Sequence, residues 1–136
     1  MHVVGTTGGI VDPDELDAPA NAHLVAFANH EVLMGRAALV VGRGGHGTTM
    51  RALRRGLPIV GMPARGADQA PITALLDEWK VGIALPGDAD VDALRSAAAR
   101  VLADDAYRRN AQELALGFGG LDGAALAADS VESLLG

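Results

Sequence analysis

The residues best suited to chemistry in this chain are a cluster of glycines and their neighbours. Gly42-Arg43-Gly44-Gly45-His46-Gly47-Thr48-Thr49 follows the apolar run Ala38-Leu39-Val40-Val41 and precedes the helix-forming Met50-Arg51-Ala52-Leu53-Arg54-Arg55. A strand, a glycine turn and a helix start are what a backbone needs to hold a phosphate. Glycines permit positive φ and close approach of the main chain, and the first N–H groups of a helix, with its dipole, favour an anion. Thr48 and Thr49 add hydroxyls where the helix begins, as caps or as phosphate donors. A second small-residue turn, Thr6-Thr7-Gly8-Gly9, follows the apolar His2-Val3-Val4-Gly5.

Several other chemistries lack the residues they need. With no cysteine, disulfides, thiolate metal sites and Cys nucleophiles are excluded. The serines Ser96, Ser130 and Ser133 all lie in the C-terminal stretch, and no Gly-x-Ser-x-Gly gives one of them a nucleophile's position. No Lys-Ser or Lys-Thr follows the glycine loop, so it is not a Walker loop. His2, His23, His30 and His46 show no metal-ligand spacing, and no metal is expected. His46 sits inside the anion loop and is the histidine most suited to a role, against a merely solvated or capping one.

At 136 residues the chain reads as one domain, 1–136, long enough to bury a real core. A net charge of −6 argues against nucleic-acid binding. Its distribution says more, because no acid lies between Glu31 and Asp68, where Arg36, Arg43, Arg51, Arg54, Arg55 and Arg65 stand. A basic island around a glycine loop fits a small anionic ligand. A solvated helix face is the alternative for Arg51, Arg54 and Arg55. No apolar run approaches membrane-spanning length and Met1-His2-Val3-Val4 does not begin a signal peptide, so a cytoplasmic chain without a membrane span is expected.

The elements that must hold these loops are short. Apolar runs at 2–5, 23–27, 38–41, 57–62 and 81–85 predict strands. Short helices are expected over 12–16 and 29–34, the first capped by Asp12 with Pro13 in its first turn. Further helices are expected after the glycine loop up to Gly56, over 67–80, from Asp90, from Asp104-Asp105 and at the C-terminus. Their apolar faces are read as Ile72, Leu75, Leu76 and Trp79, then Val91, Leu94, Ala98, Val101 and Leu102, then Tyr107, Ala111 and Leu114. Strands and helices in alternation predict an α/β fold: a Rossmann-like parallel sheet with helices on both faces and a helical C-terminal tail. Ligands in such sheets bind at the carboxyl ends of the strands. That edge would bring together the loops 6–9, 27–30, 42–49 and 63–69.

Gly42-x-Gly44-x-x-Gly47 also fits the dinucleotide fingerprint by spacing, and an NAD-type oxidoreductase domain is one alternative. The fingerprint wants an acid near the end of the next strand, yet that strand ends in Gly61-Met62-Pro63, and the next acid is Asp68.

A more specific pattern covers nearly the whole chain. Phe27, Asn29-His30, Val32-Leu33, the run from Arg43 to Thr49, Pro63 and Asp68-Gln69 stand in an order and spacing that resembles the donor-binding half of the UDP-glycosyltransferase-like enzymes. The resemblance is strongest to the bacterial ones that decorate antibiotics and lipids, and Val3 to Gly9 is similar to the first strand and loop of that half. It implies one half of a GT-B fold, the C-terminal one, with the N-terminal acceptor domain lying outside this chain. It implies an inverting transfer of a hexose from a nucleoside diphosphate sugar, on UDP or dTDP, to a hydroxyl acceptor. By the same resemblance Phe27 and His30 would bind the base. Thr6, Thr7, Arg43, Gly44, Gly45, His46, Gly47, Thr48 and Thr49 would bind the diphosphate, and Asp68 and Gln69 the sugar. No cofactor or metal is implied. No catalytic residue is expected here, because the family's general base lies in the acceptor domain, or in a separate acceptor subunit. For Phe27 a core aromatic, and for Asp68-Gln69 a helix cap, are the structural alternatives.

Arg43 departs from that family, which places a histidine before the glycine pair. An arginine can still grip phosphate with its planar fork of donors. The departure leaves a non-catalytic nucleotide-sugar-binding module or remnant as the main alternative. An isolated half would also leave Leu126, Val131, Leu134 and Leu135 without a partner surface, so self-association is expected.

Overall fold

Apolar triplets and quartets separated by turn residues pair as parallel strands along the chain. The computed structural model describes residues 1–64, 69–119 and 122–135, in two units, Met1–Arg36 and Ala37–Gly136.

In the first unit β1 (Val3–Thr6) pairs in parallel with β2 (Ala22–Val25), Val3 opposite Ala22 and Thr6 opposite Val25. Between them Asp12 caps a 3-10 turn, Pro13–Glu15, by accepting from the Asp14 amide. The unit ends in α1 (His30–Met34), which Asn29 caps: its Oδ1 accepts from the amides of Glu31 and Val32 at 3.0 and 3.4 Å. Met34 is its one buried large apolar side chain among the described residues, while Val3, Val4, Ile10 and Phe27 are exposed.

The second unit holds the core. Strands β3 (Val40–Gly42), β4 (Ile59–Gly61) and β5 (Gly82–Ala84) form a parallel sheet in that order. Helices α2 (His46–Arg54) and α3 (Ala70–Glu78) connect them, and α4 (Val91–Ala103), α5 (Asp105–Gly117) and α6 (Gly123–Leu135) follow. Ile59 and Val60 of the central strand are both buried. Val60 clusters with Ala97 and Val101 of α4, whereas Gly61 lies against Thr73 and Leu76 of α3. Successive strand residues point to opposite faces, so α3 and α4 cover the two sides, the expected α/β arrangement.

Helix starts follow their caps. Asp90 Oδ1 accepts from the Ala93 amide at 2.7 Å and Asp104 Oδ1 from the Ala106 amide at 2.9 Å, each satisfying one of the donors a helix leaves at its N-terminus. Two apolar faces differ from expectation. Trp79, expected to pack, ends α3 41% exposed, and the buried positions of that helix are Thr73 and Leu76. In α4 the inward stripe runs through Leu94, Ala97 and Val101, with Val91 at the helix start exposed. A single turn of drift at each helix end carries a side chain off the seam, since the covered face is set by the sheet and not by the apolar residues alone.

The element that fixes the glycine loop is α3. Gly44 is buried with φ +75°, and a methyl built on it would collide with Cγ2 of Thr73. Thr73 turns its Oγ1 back to the carbonyls of Gln69 and Ala70, at 3.3 and 3.0 Å, so its hydroxyl is satisfied while its methyl meets the loop. Replacing Gly44 adds both a left-handed backbone cost of about 1–2 kcal/mol and a steric clash. Gly44→Ala is expected to destabilise the chain by more than that backbone cost in urea unfolding. Combined with Thr73→Ser, which removes the opposing methyl, the added cost of Gly44→Ala is expected to fall back to about 1–2 kcal/mol. Equal costs in both backgrounds would show that the Thr73 contact is unimportant.

Candidate functional site

Each unit contributes loops at the carboxyl ends of its strands. In the first, β1 runs out through Thr6 into Thr7, Gly8 and Gly9, and hydrogen bonds from the amides of Thr7 and Gly8 to the carbonyls of Val25 and Ala26, 3.0 and 2.9 Å, tie this turn to the end of β2. Thr6 Oγ1 lies 3.4 Å from Nε2 of His30, the first residue of α1. Phe27 follows β2 and is 76% exposed, so the core-aromatic alternative fails. The structure therefore brings Thr6, His30 and the Gly9–Phe27 pair together, as expected of loops from neighbouring parallel strands. Thr7 Oγ1 is buried with no hydrogen-bond partner.

In the second unit the glycine loop is half turn and half helix. Helix α2 begins at His46, earlier than the apolar pattern predicts, with Gly45 as its N-cap. Glycine at that cap leaves the helix start bare of side-chain oxygen: no side-chain hydrogen bond caps it. The first hydrogen bond into the helix runs from the Thr49 amide to the Gly45 carbonyl, 3.0 Å. The amides of His46, Gly47 and Thr48 precede it and have no helical acceptor. Those are the donors an anion needs, at the positive end of the helix dipole. Arg43 and His46 are exposed and Thr48 is half-buried, whereas Thr49 is buried, 4% exposed. Arg51 and Arg54, in the last turn of α2, lie toward the opposite end of the helix, away from its N-terminal amides.

Gln69 occupies the N-cap position of α3 without making a side-chain cap, so it is not there for capping. Its carbonyl lies 3.6 Å from where a Gly44 Cβ would stand, which puts the glycine loop and Gln69 side by side. Its Oε1 is buried and accepts no hydrogen bond. An acceptor left so costs about 1–3 kcal/mol. Asp68 lies outside the described residues.

Thr73 is the site-forming residue that motif reading misses. It touches the loop from behind, and its only sequence signal is a β-branched polar residue amid the apolar positions Ile72, Leu75 and Leu76. Two surface hollows lie elsewhere. One of about 520 Å³ is lined by Trp79, Val81, Asn110 and Leu114, and one of about 360 Å³ by Lys80, Arg100 and Tyr107. Both adjoin the amino end of β5, opposite the edge where the glycine loop stands, and neither includes a glycine-loop residue. Among the described residues no cluster of His, Asp and Glu could hold a metal ion, and no helix is long and apolar enough to cross a membrane.

Known proteins resemble this chain in sequence and fold. Demethyllactenocin mycarosyltransferase of Streptomyces fradiae is 32% identical over 132 residues, 94% of this chain and 28% of that protein. Vancomycin aglycone glucosyltransferase of Amycolatopsis orientalis is 38% identical over 94 residues, 68% of this chain and 23% of that protein. The chain thus spans roughly a quarter of these curated relatives' lengths. The crystal structure of CalG4, the calicheamicin glycosyltransferase, superposes with a TM-score of 0.85 at 29% identity, over 98% of this chain and 35% of that one. The GT-B half-fold implied by the motifs is therefore the fold observed, and glycosyltransferases, not nicotinamide oxidoreductases, are what it resembles in sequence. Residues 3–118 match the model for the erythromycin biosynthesis protein CIII-like C-terminal domain, and the chain belongs to that family.

Proposed function

We propose that this chain is the donor-binding part of an inverting glycosyltransferase, which transfers a hexose from a UDP- or dTDP-sugar to a hydroxyl acceptor. The observation that carries the reading is the Gly44-set loop, which leaves the His46, Gly47 and Thr48 amides at the start of α2 without helical acceptors. In this reading those amides, the backbone of Gly44 and Gly45, and the side chains of Arg43, Thr48, Thr6 and Thr7 hold the diphosphate. Thr49, buried behind them, supports the helix start. Phe27 and His30 take the base, Asp68 and Gln69 the sugar hydroxyls. The place of Gln69 beside the Gly44 backbone supports its part.

Chemically, the bond from the anomeric carbon to the diphosphate breaks as the acceptor oxygen attacks from the opposite face. Negative charge gathers on the departing diphosphate. Backbone amides at a helix N-terminus stabilise that charge in place, and a guanidinium at Arg43 adds a bidentate grip. The proposed site needs no metal for this, and the base that accepts the acceptor's proton is assigned to a part of the enzyme outside these residues. A cytoplasmic setting goes with the reading.

Isothermal titration of the chain with UDP, dTDP and NAD tests it: one of the two pyrimidine diphosphates is expected to bind and NAD is not. Arg43→Ala should weaken that binding by about tenfold or more, since a hydrogen bond to a charged group contributes about 1.5–3 kcal/mol, and raised salt should weaken the unaltered chain in the same direction. Unchanged affinity in Arg43→Ala would remove Arg43 from the site. A second expectation concerns α6, whose Leu126, Val131 and Leu134 are 52%, 57% and 85% exposed; the side chain of Leu135 lies outside the described residues. An apolar face of this kind favours association. Sedimentation of the 136-residue chain should show self-association that Leu134→Glu reduces, and a monomer at high concentration would contradict it.

A further inference from the structure

We infer that Gly9 is a positioning residue for the ring of Phe27. The inference rests on the proposed base-binding part of Phe27 and extends it to a turn glycine that the motifs give no role of its own. Gly8 and Gly9 are consecutive glycines of the β1 turn, and both have left-handed backbones, φ +66° and +74°. Their surroundings differ. A methyl built on Gly8 meets nothing within 4 Å, whereas one built on Gly9 comes within 2.9 Å of Cζ and 3.1 Å of Cε2 of Phe27. Contacts that short are repulsive, so any side chain at position 9 must push the ring aside.

The ring lies at the surface. It is 76% exposed, and an exposed aromatic side chain samples several rotamers unless something limits it. The Gly9 turn supplies that limit because it is itself fixed: the Thr7 and Gly8 amides are bonded to the end of β2, from which Phe27 follows, and the Ile10 amide bonds back to the Thr7 carbonyl at 3.3 Å. Turn and ring therefore share one anchor. The far edge of the ring fills the space that a side chain at position 9 would need, and most of its surface stays open to a planar ligand. A flat base can then stack on a ring already held in place, with less ordering to be done on binding. Gly9 thus acts on the ligand only through Phe27.

A thermodynamic cycle on the 136-residue chain, titrated with whichever of UDP and dTDP binds more tightly, separates this from backbone strain. Phe27→Ala is expected to weaken binding by about tenfold, in the range usual for a stacked base. Gly9→Ala should weaken it by about threefold to tenfold in the native background, and by less than about twofold when Phe27 is already alanine. Gly8→Ala bears the same left-handed strain with no ring nearby, and should change affinity by less than about twofold. Gly9→Asn provides a second variant, because asparagine tolerates the left-handed region while still adding a Cβ; it should match Gly9→Ala. Melting curves of every variant show that each is folded. Equal losses from Gly9→Ala with and without Phe27, or equal losses from Gly8→Ala and Gly9→Ala, overturn the inference and leave the reading of Phe27 standing. No loss from Phe27→Ala overturns that reading, and the inference with it.

Discussion

The loop that this fold is built to present depends on one close contact, that of Gly44 with Thr73. Parallel strands deliver their loops to a common edge, but delivery alone does not fix a glycine-rich turn, whose conformational freedom is large. Here the second helix of the unit presses a threonine methyl against the one place on the loop where no side chain fits. Gly44 is left-handed at that contact, and α2 starts two residues on, at His46. Three amides and the dipole of α2 then point from one rigid place. The sheet beneath supplies the rigidity, with Leu53, Ile59, Val60 and Leu76 at most 2% exposed.

The architecture was largely legible from the chain itself. Five apolar runs became the five strands among the described residues, because β-branched triplets bounded by glycine, proline and asparagine have few other options. Asp12, Asp90 and Asp104 cap where their positions predict, since capping depends on the adjacent residues alone. What escaped was tertiary. The apolar faces of α3 and α4 were placed by period, yet the sheet decides which part of each stripe is covered, and Trp79 and Val91 fall outside it. The early start of α2 escaped for a related reason. Gly47 argues against a helix by propensity, and it is the loop's packing on α3 that overrides that weak preference.

The candidate site was legible to a different depth in each unit. Order and spacing of Phe27, His30, Arg43–Thr49 and Gln69 pointed to a donor site. The structure adds that Phe27 is exposed and that Gln69, at the N-cap position of α3, makes no side-chain cap. It also adds two polar atoms, Thr7 Oγ1 and Gln69 Oε1, buried without partners. Stable folds rarely leave such atoms unsatisfied, and here both belong to loops that the motif assigns to the ligand. The contacts of Gly9 with Phe27 and of Thr73 with Gly44 could not have been found from one sequence, because each joins residues brought close only by folding. In both cases a methyl group's worth of space decides the arrangement.

The central claim is that the bare amides at the start of α2 receive a diphosphate. Amide-resolved NMR of the uniformly ¹⁵N-labelled chain, titrated with UDP and dTDP, tests it most directly. The largest shifts are expected on Gly44, Gly45, His46, Gly47 and Thr48, moving downfield as each N–H gains an anionic acceptor, with Trp79 and its surroundings unmoved. Saturable shifts centred on the hollow around Trp79 and Asn110, with the amides of 44–48 unchanged, would contradict it.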